Sequence, residues 1–223
     1  MKLTLDDILP HVAHDVRALA RKGLSNAQLL EKLIGPAAAP EISSHLRSII
    51  ESQLDLNRLF ARLVMLVDAQ TPAGQPEEWI TLEVALLSTK MKCRDALRQA
   101  SAELAVSEPI PVCVIPRKIE SVLQELVENS IQFRDPARPL CIGIDTHVKQ
   151  DKVFVLISDN GVGIDSAYVS SLFKPFKRLD ARRSGFGLGL SIASGIVEAA
   201  GGRLYHEQND PGAAFVVELA IGG

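Results

Sequence analysis

Apolar positions follow two different rhythms along this chain, and the change falls near residue 70. Before it, Leu9, Val12, Val16, Leu19, Gly23, Asn26, Leu30 and Leu33 alternate three and four apart. Ile42, Leu46, Ile49, Gln53, Leu56, Phe60, Leu63 and Val67 do the same. This spacing predicts two helices, each with a narrow apolar seam of the kind found in coiled coils and antiparallel bundles. "GPAAAP" at 35–40 supplies the break, since Gly and Pro both terminate helices. Pro10 is tolerated near a first turn, where few backbone N–H groups have partners. Ile50, Leu59, Val64 and Leu66 widen the second seam beyond what one partner helix covers. A four-helix bundle built by two chains covers it, so a homodimer through residues 1–70 is expected.

"TPAGQPEE" (71–78) is a linker by composition, and the rhythm beyond it is that of an α/β domain at 79–223. "TLEVALLSTKMKCRDALRQA" and the amphipathic "IESVLQELVENSIQF" predict helices, the latter with apolar Ile119, Val122, Leu123, Leu126 and Val127. "IPVCVI" predicts a strand, and "LCIGIDTHV" and "KVFVLISD", joined by polar "KQD", predict a hairpin. "LGLSIASGIVEAAGG" reads as a helix with a glycine C-cap, and "GRLYHEQ" and "AAFVVELAI" close the sheet. The architecture expected is α + α/β: a helical hairpin, then a sheet with helices on one face.

Composition narrows the class without choosing within it. The chain has 223 residues, 47% of them apolar and 23% charged, ordinary values for a globular protein with a real core. A net charge of −3 gives no broad electrostatic case for nucleic acid or an anionic membrane. Cys93, Cys113 and Cys141 form no CxxC pair and are read as small buried apolar residues in a reducing compartment. No run is long enough to span a bilayer, and no secretory signal opens the chain. A cytoplasmic location is expected, with any sensor domain or sensor protein outside this chain.

Candidate chemistry concentrates in four short stretches. "ELVENSIQF" places Glu125 and Asn129 on one helix face, where an amide beside a carboxylate suits a hydrated Mg²⁺. "DNGVGID" ends a strand with Asp159, an acceptor for an exocyclic amine, followed by Gly161 and Gly163, which permit close approach of a ligand. "GFGLGL" precedes a helix, so Gly185, Gly187 and Gly189, with Leu188 among them, border a natural phosphate site. It matches neither the Walker pattern nor a Rossmann fingerprint. Between the glycine stretches, "LFKPFKRLDARRS" mixes Phe173 and Phe176 with Lys174, Lys177, Arg178, Arg182 and Arg183, a composition suited to a lid over polyphosphate. Plain readings exist for each: exposed polar helix pairs, a β-turn, a solvated basic loop.

In order, these stretches resemble the N box, first glycine box, F box and second glycine box of the sensor histidine kinases. Those boxes build the Bergerat (GHKL) ATP pocket shared with gyrase B, Hsp90 and MutL. The first half resembles a dimerisation and phosphotransfer domain with "HDVR" as its H box, and "NSIQFRDPARP" is similar to the bacteriophytochrome branch. The resemblance implies an α/β sandwich ATP-binding domain and autophosphorylation of His14, with Asp15 as the proton acceptor. It further implies Asn129 on Mg²⁺, Asp159 on the adenine N6 group, and Gly161 and Gly163 shaping the adenine pocket. Gly185, Gly187, Leu188 and Gly189 would border the phosphates, while Phe173 and Phe176 anchor a lid carrying Lys177 and Arg178. ATP is the implied nucleotide, and the implied partner is the receiver domain of a response regulator.

This chain departs from the family pattern at several points. Ala18 replaces the usual Thr or Asn after the histidine, which places phosphatase activity by that route in doubt. Leu19 replaces a proline, so no kink is expected there. Glu125 stands where Asn is frequent, as in the ATPase relatives, and Gln132 replaces a Lys whose charge Arg134 or the lid would supply. His11 lies three residues from His14 without a third metal ligand, and His45, His147 and His206 read as structural. Two alternatives remain at this level: a non-catalytic phosphotransfer or docking protein, and an ATPase switch in which Glu125 activates water.

Overall fold

The computed structural model describes residues 20–30, 32–34, 40–70, 78–107, 113–178 and 185–221. They fall into two compact units, one ending at Asp68 and the other beginning at Ala69.

The first unit contains helical backbone over 20–30 and 32–34 (α1) and all but the last two residues of the long helix α2 (Pro40–Gln70). The helices approach where α1 carries small side chains. Ala20 and Ala27, one heptad apart, are buried. Gly23 lies between them, and a Cβ there would come within 3.0 Å of Gln53 Oε1. The predicted seam positions Gly23 and Gln53 therefore do meet. The larger seam residues Leu30, Leu33, Ile42 and Ile49 stay exposed. Steric size explains the difference, because close helix approach selects the Ala/Gly stripe and leaves the bulky stripe outside.

In the second unit β1 (Trp79–Thr81) leads into α3 (Leu82–Gln99), whose N-cap Thr81 accepts a hydrogen bond from the Val84 N–H. There follow β2 (Glu103–Val106), β3 (Val114–Pro116), α4 (Ile119–Gln132), β4 (Cys141–Lys149) and β5 (Lys152–Asp159). The short α5 (Ser166–Val169), α6 (Gly189–Ala199), β6 (Arg203–Gln208) and β7 (Ala213–Ala220) complete it. Five strands form the main sheet in the order β2-β4-β5-β7-β6, with β2 parallel to β4 and the other neighbours antiparallel. The "IPVCVI" strand does not join this sheet; β3 pairs with β1 in a separate antiparallel ribbon. Neither β1 nor β2 was expected, since both are too short to show a period.

Alternation along β5 builds the core. Val153, Val155, Ile157 and Asp159 are buried, while Phe154, Leu156 and Ser158 are half-buried on the other face. Across the ladder, Ile144 pairs with Ile157, and Leu219, Val217 and Phe215 pair with Val153, Val155 and Ile157. Leu123, Leu126 and Val127 of α4 and Ile192 and Val197 of α6 cover that face. Each fully buried Leu, Ile or Val side chain contributes about 1.5–3 kcal/mol relative to exposure. α6 stops where predicted: Gly201, at φ 70, and Gly202 donate to the carbonyls of Glu198 and Val197, a Schellman cap.

The cysteines correct the sequence reading in part. Cys93 and Cys113 are buried, and burial pushes the Cys93 thiol up to about 11, but Cys141 at the start of β4 is exposed. It begins an edge-proximal strand whose first side chain faces away from the helices.

Candidate functional site

α4 is the hub of the site. Its C-terminal half touches both glycine stretches through four residues. The Glu125 carboxylate is buried against the start of α6, where a Cβ on Gly189 would lie 2.6 Å from Oε2. One turn later, Asn129 holds a buried Nδ2 with no hydrogen-bond partner among the described residues. Ser130 donates to Asp159 Oδ2 at 2.8 Å. Gln132 reaches Gly185, whose Cβ would stand 3.6 Å from its Nε2. The Phe133 carbonyl at the C-cap accepts from the Val162 N–H at 3.0 Å and leaves no room for a side chain at Gly161.

Asp159 ends β5 with its carboxylate buried and held by donors alone. Besides Ser130, the N–H groups of Gly161 and Ala213 reach Oδ1 at 2.9 and 3.2 Å. Its backbone is gripped as well. Asn209 Nδ2 donates to the Asp159 carbonyl at 2.9 Å, and Gly212, at φ 104, packs its Cα against the same carbonyl. Only glycine fits there, since a Cβ would overlap that oxygen. Gly163, at φ 74, abuts the Gly212 carbonyl. The β6–β7 turn thus clamps the end of β5, a contact spanning fifty residues of chain.

The basic, aromatic stretch divides into two roles. Phe173 packs edge-on against Phe215 with centroids 6.5 Å apart, and Phe215 in turn meets His206 at 5.6 Å. Burial in this aromatic row lowers the His206 pKa. Phe176 instead exposes its ring, and its backbone occupies the left-handed region at φ 62. The Phe176–Lys177 backbone presses on Gly187, where a Cβ would sit 2.6 Å from the Lys177 carbonyl oxygen. Residues 176–177 and 187 therefore close a neck. Leu188 is buried beneath it, Lys177 and Arg178 are exposed beside it, and Arg182 and Arg183 lie outside the described residues. Beyond the neck α6 begins, and the N–H groups of its first turn have no intrahelical partners and suit an anion.

His14, Asp15, Ala18, Leu19 and His11 lie outside the described residues. His45 is exposed, and His147 stacks on Phe154 with centroids 4.8 Å apart. Arg134, considered as a substitute cation, is exposed and donates to the Ile131 carbonyl at 3.0 Å. Among the described residues no group of three His, Cys, Asp or Glu side chains converges on a metal position, and no helix is long and apolar enough to cross a membrane. Mg²⁺ fits only the other kind of site, in which few protein ligands act beside substrate phosphates. The orphaned Asn129 amide meets that requirement, because a half-turn about its terminal torsion presents Oδ1 at the same place. Ser130, Asn209, Gly212, Ala213 and Phe215 were not singled out from the sequence. Ser130 adjoins Asn129, but nothing in its spacing reveals a bond to Asp159.

A sheet with helices on one face, two glycine stretches meeting on one helix, and a donor-ringed carboxylate define a nucleotide-binding ATPase domain. Residues 115–222 match the family described as "Histidine kinase-, DNA gyrase B-, and HSP90-like ATPase". The similarity extends over both units. Over 96% of its length the chain is 27% identical to sensor protein TorS of Escherichia coli and 25% identical to sensor protein VanSC of Enterococcus gallinarum. It is 31% identical to cyanobacterial phytochrome A of Nostoc over 161 residues, 70% of this chain and 20% of that one. The structure of full-length ShkA in complex with AMPPNP superimposes with a TM-score of 0.79 at 21% identity, covering 97% of this chain and 46% of that one. Acinetobacter baumannii histidine kinase AdeS gives 0.61 at 21% identity, over 94% of this chain and 98% of that one. Residues 115–222 therefore form a GHKL-type ATP-binding domain, and the chain is similar over both units to the kinase cores of sensor histidine kinases. It spans 24% of TorS and 60% of VanSC.

Proposed function

We propose that this chain is an ATP-dependent protein histidine kinase that autophosphorylates His14 and passes the phosphoryl group to an aspartate on a response regulator's receiver domain. The observation that supports this reading is the meeting of both glycine boxes with the N box on α4 through four contacts: Glu125 with Gly189, Ser130 with Asp159, Gln132 with Gly185, and Phe133 with Gly161. Such a meeting gives one end of the site an acceptor for a base amine and the other a helix start for phosphates.

In the proposed reaction the His14 imidazole nitrogen attacks the γ-phosphorus. The bond to the bridging oxygen breaks, and ADP leaves with the electron pair. Asp15 receives the imidazole proton. Asn129 would hold Mg²⁺, which supplies charge neutralisation for a step that otherwise needs mainly in-line positioning. The N–H groups at the start of α6, with Lys177 and Arg178 near the neck, would complement the phosphates. Residues 1–70 would form the phosphotransfer hairpin and pair with a second copy in a four-helix bundle, 71–78 would be the linker, and 79–223 the catalytic domain.

Labelled ATP with Mg²⁺ tests the reading. Acid-labile label on the wild-type chain and none on His14→Gln is the expected result. Label persisting in the variant removes His14 from the role, and release of free phosphate without a phosphohistidine favours an ATPase switch built on Glu125.

A further inference from the structure

Ser130 is buried on α4, and its hydroxyl has two acceptors in reach: Asp159 Oδ2 at 2.8 Å and the Leu126 carbonyl oxygen at 3.2 Å. A hydroxyl has one proton to donate, and the shorter contact to the carboxylate takes it. Oδ1 of the same carboxylate already accepts the N–H groups of Gly161 and Ala213. A carboxylate accepts about four hydrogen bonds. The described residues fill three, every one from a donor, and the acceptor position left open among them lies on the oxygen that Ser130 holds.

We propose that Ser130 is a positioning residue that makes this site select a purine carrying an exocyclic amine over one carrying a carbonyl at the same place. The inference rests on Asp159 being the acceptor for the base edge. With one lone pair of Oδ2 engaged by Ser130, the other has a fixed direction and room for one N–H. A purine carbonyl placed there sets oxygen against oxygen with no proton between them. Without the hydroxyl, the carboxylate is held at Oδ1 alone and both Oδ2 lone pairs open to water. A water lodged there donates one proton to Oδ2 and the other to the purine carbonyl, which removes the penalty against the wrong base. A site built to hydrogen-bond a substrate N–H discriminates strongly only while its own polar groups leave no such escape. The backbone of Asp159 is secured independently by Asn209. Removing the Ser130 hydroxyl therefore alters the side chain without freeing the strand end.

The test is calorimetric titration of the full chain with Mg·ATP and Mg·ITP, the latter bearing the carbonyl, for wild type, Ser130→Ala and Asp159→Asn. Wild type is expected to prefer ATP. Ser130→Ala is expected to lose about tenfold of that preference, the size of one hydrogen bond to a charged group, by weaker ATP binding and stronger ITP binding. Equal weakening toward both nucleotides, or an unchanged ratio, overturns the proposal, because a merely structural role would act that way. Should the Ala variant fail to fold, Ser130→Cys keeps the shape with a weak donor. The same loss is expected, and retained preference overturns the idea. A wild type indifferent to the base, or an Asp159→Asn ratio equal to wild type, instead removes Asp159 as the reader. A failed Ser130 role with Asp159 intact leaves the Asp159→Asn effect in place, so the two failures are distinct.

Discussion

Gly212 and Gly201 both adopt positive φ, at 104 and 70, yet their surroundings are opposite. Nothing lies within 4 Å of where a Cβ on Gly201 would be, whereas one on Gly212 would overlap the Asp159 carbonyl. Gly201→Ala should therefore cost only the backbone term, about 1 kcal/mol. Gly212→Ala adds a backbone collision at the end of β5 and should cost more than about 2 kcal/mol. It should also weaken Mg·ATP binding, since the displaced carbonyl belongs to the residue proposed to read the base. Urea unfolding and nucleotide titration of the two variants check this, and equal costs would show that the turn yields freely. Phe176 makes the complementary point, because a non-glycine residue held at φ 62 beside Gly187 marks strain stored at the neck of the site.

Between elements, α3 and α4 are tied by a polar knot as well as by packing. The buried Glu120 carboxylate accepts from Lys92 at 2.8 Å and Ser88 at 3.1 Å, and pairs with Arg117 at 3.5 Å. Arg117 also pairs with Glu78, the residue just before β1. The Lys92 hydrogen bond does most to hold the Glu120 pKa below its ordinary value of 4.5. A carboxyl depressed in the folded state stabilises the protein above its unfolded pKa, and that stabilisation is lost as pH falls through the lower, folded value. Wild type should accordingly lose stability as the medium is acidified below about pH 4.5, with Glu120→Gln losing less over the same range. At pH 7 the variant should be weaker than wild type by about 1–3 kcal/mol, since the amide answers the two cations poorly. Urea titrations of both proteins at pH 7 and pH 4 measure the difference, and parallel losses would show that the knot contributes nothing pH-dependent. α4 thereby serves two ends, structural at Glu120 and, in the proposed function, chemical at Glu125, Asn129 and Ser130.

At the scale of the whole molecule, the helical unit leaves Leu29, Leu30, Leu33, Ile34, Ile42 and Ile49 exposed. Single exposed apolar residues are ordinary, but this many along two helices of one unit suit the association surface that the proposed function requires. The proposed homodimer would bury it. Sedimentation at micromolar concentration should find a dimer. Ile49→Glu should weaken it at least tenfold to a hundredfold, following the ~1.5–3 kcal/mol of a buried Ile and the added burial of a charge. A wild-type chain that sediments as a monomer would overturn the pairing, and with it the four-helix bundle.

The sequence by itself determined the local elements and the order of the chemistry. Helix and strand periods are properties of neighbours in the chain, so α4, β5, α6 and the β4–β5 hairpin were legible in apolar spacing alone. The boxes were legible too, because each is a short run whose residue types must be adjacent. Tertiary structure decided everything that depends on residues meeting from afar. β3 left the main sheet for β1, and α1 turned its Ala and Gly stripe inward in place of its leucines. Asp159 found Ser130 from twenty-nine residues away and Asn209 from fifty. No spacing rule encodes such pairs, since a hydrogen bond between distant side chains is set by how helices lie on a sheet and where a turn folds back. The proposed reader of the base is visible in one line of sequence; what holds it in place exists only in three dimensions.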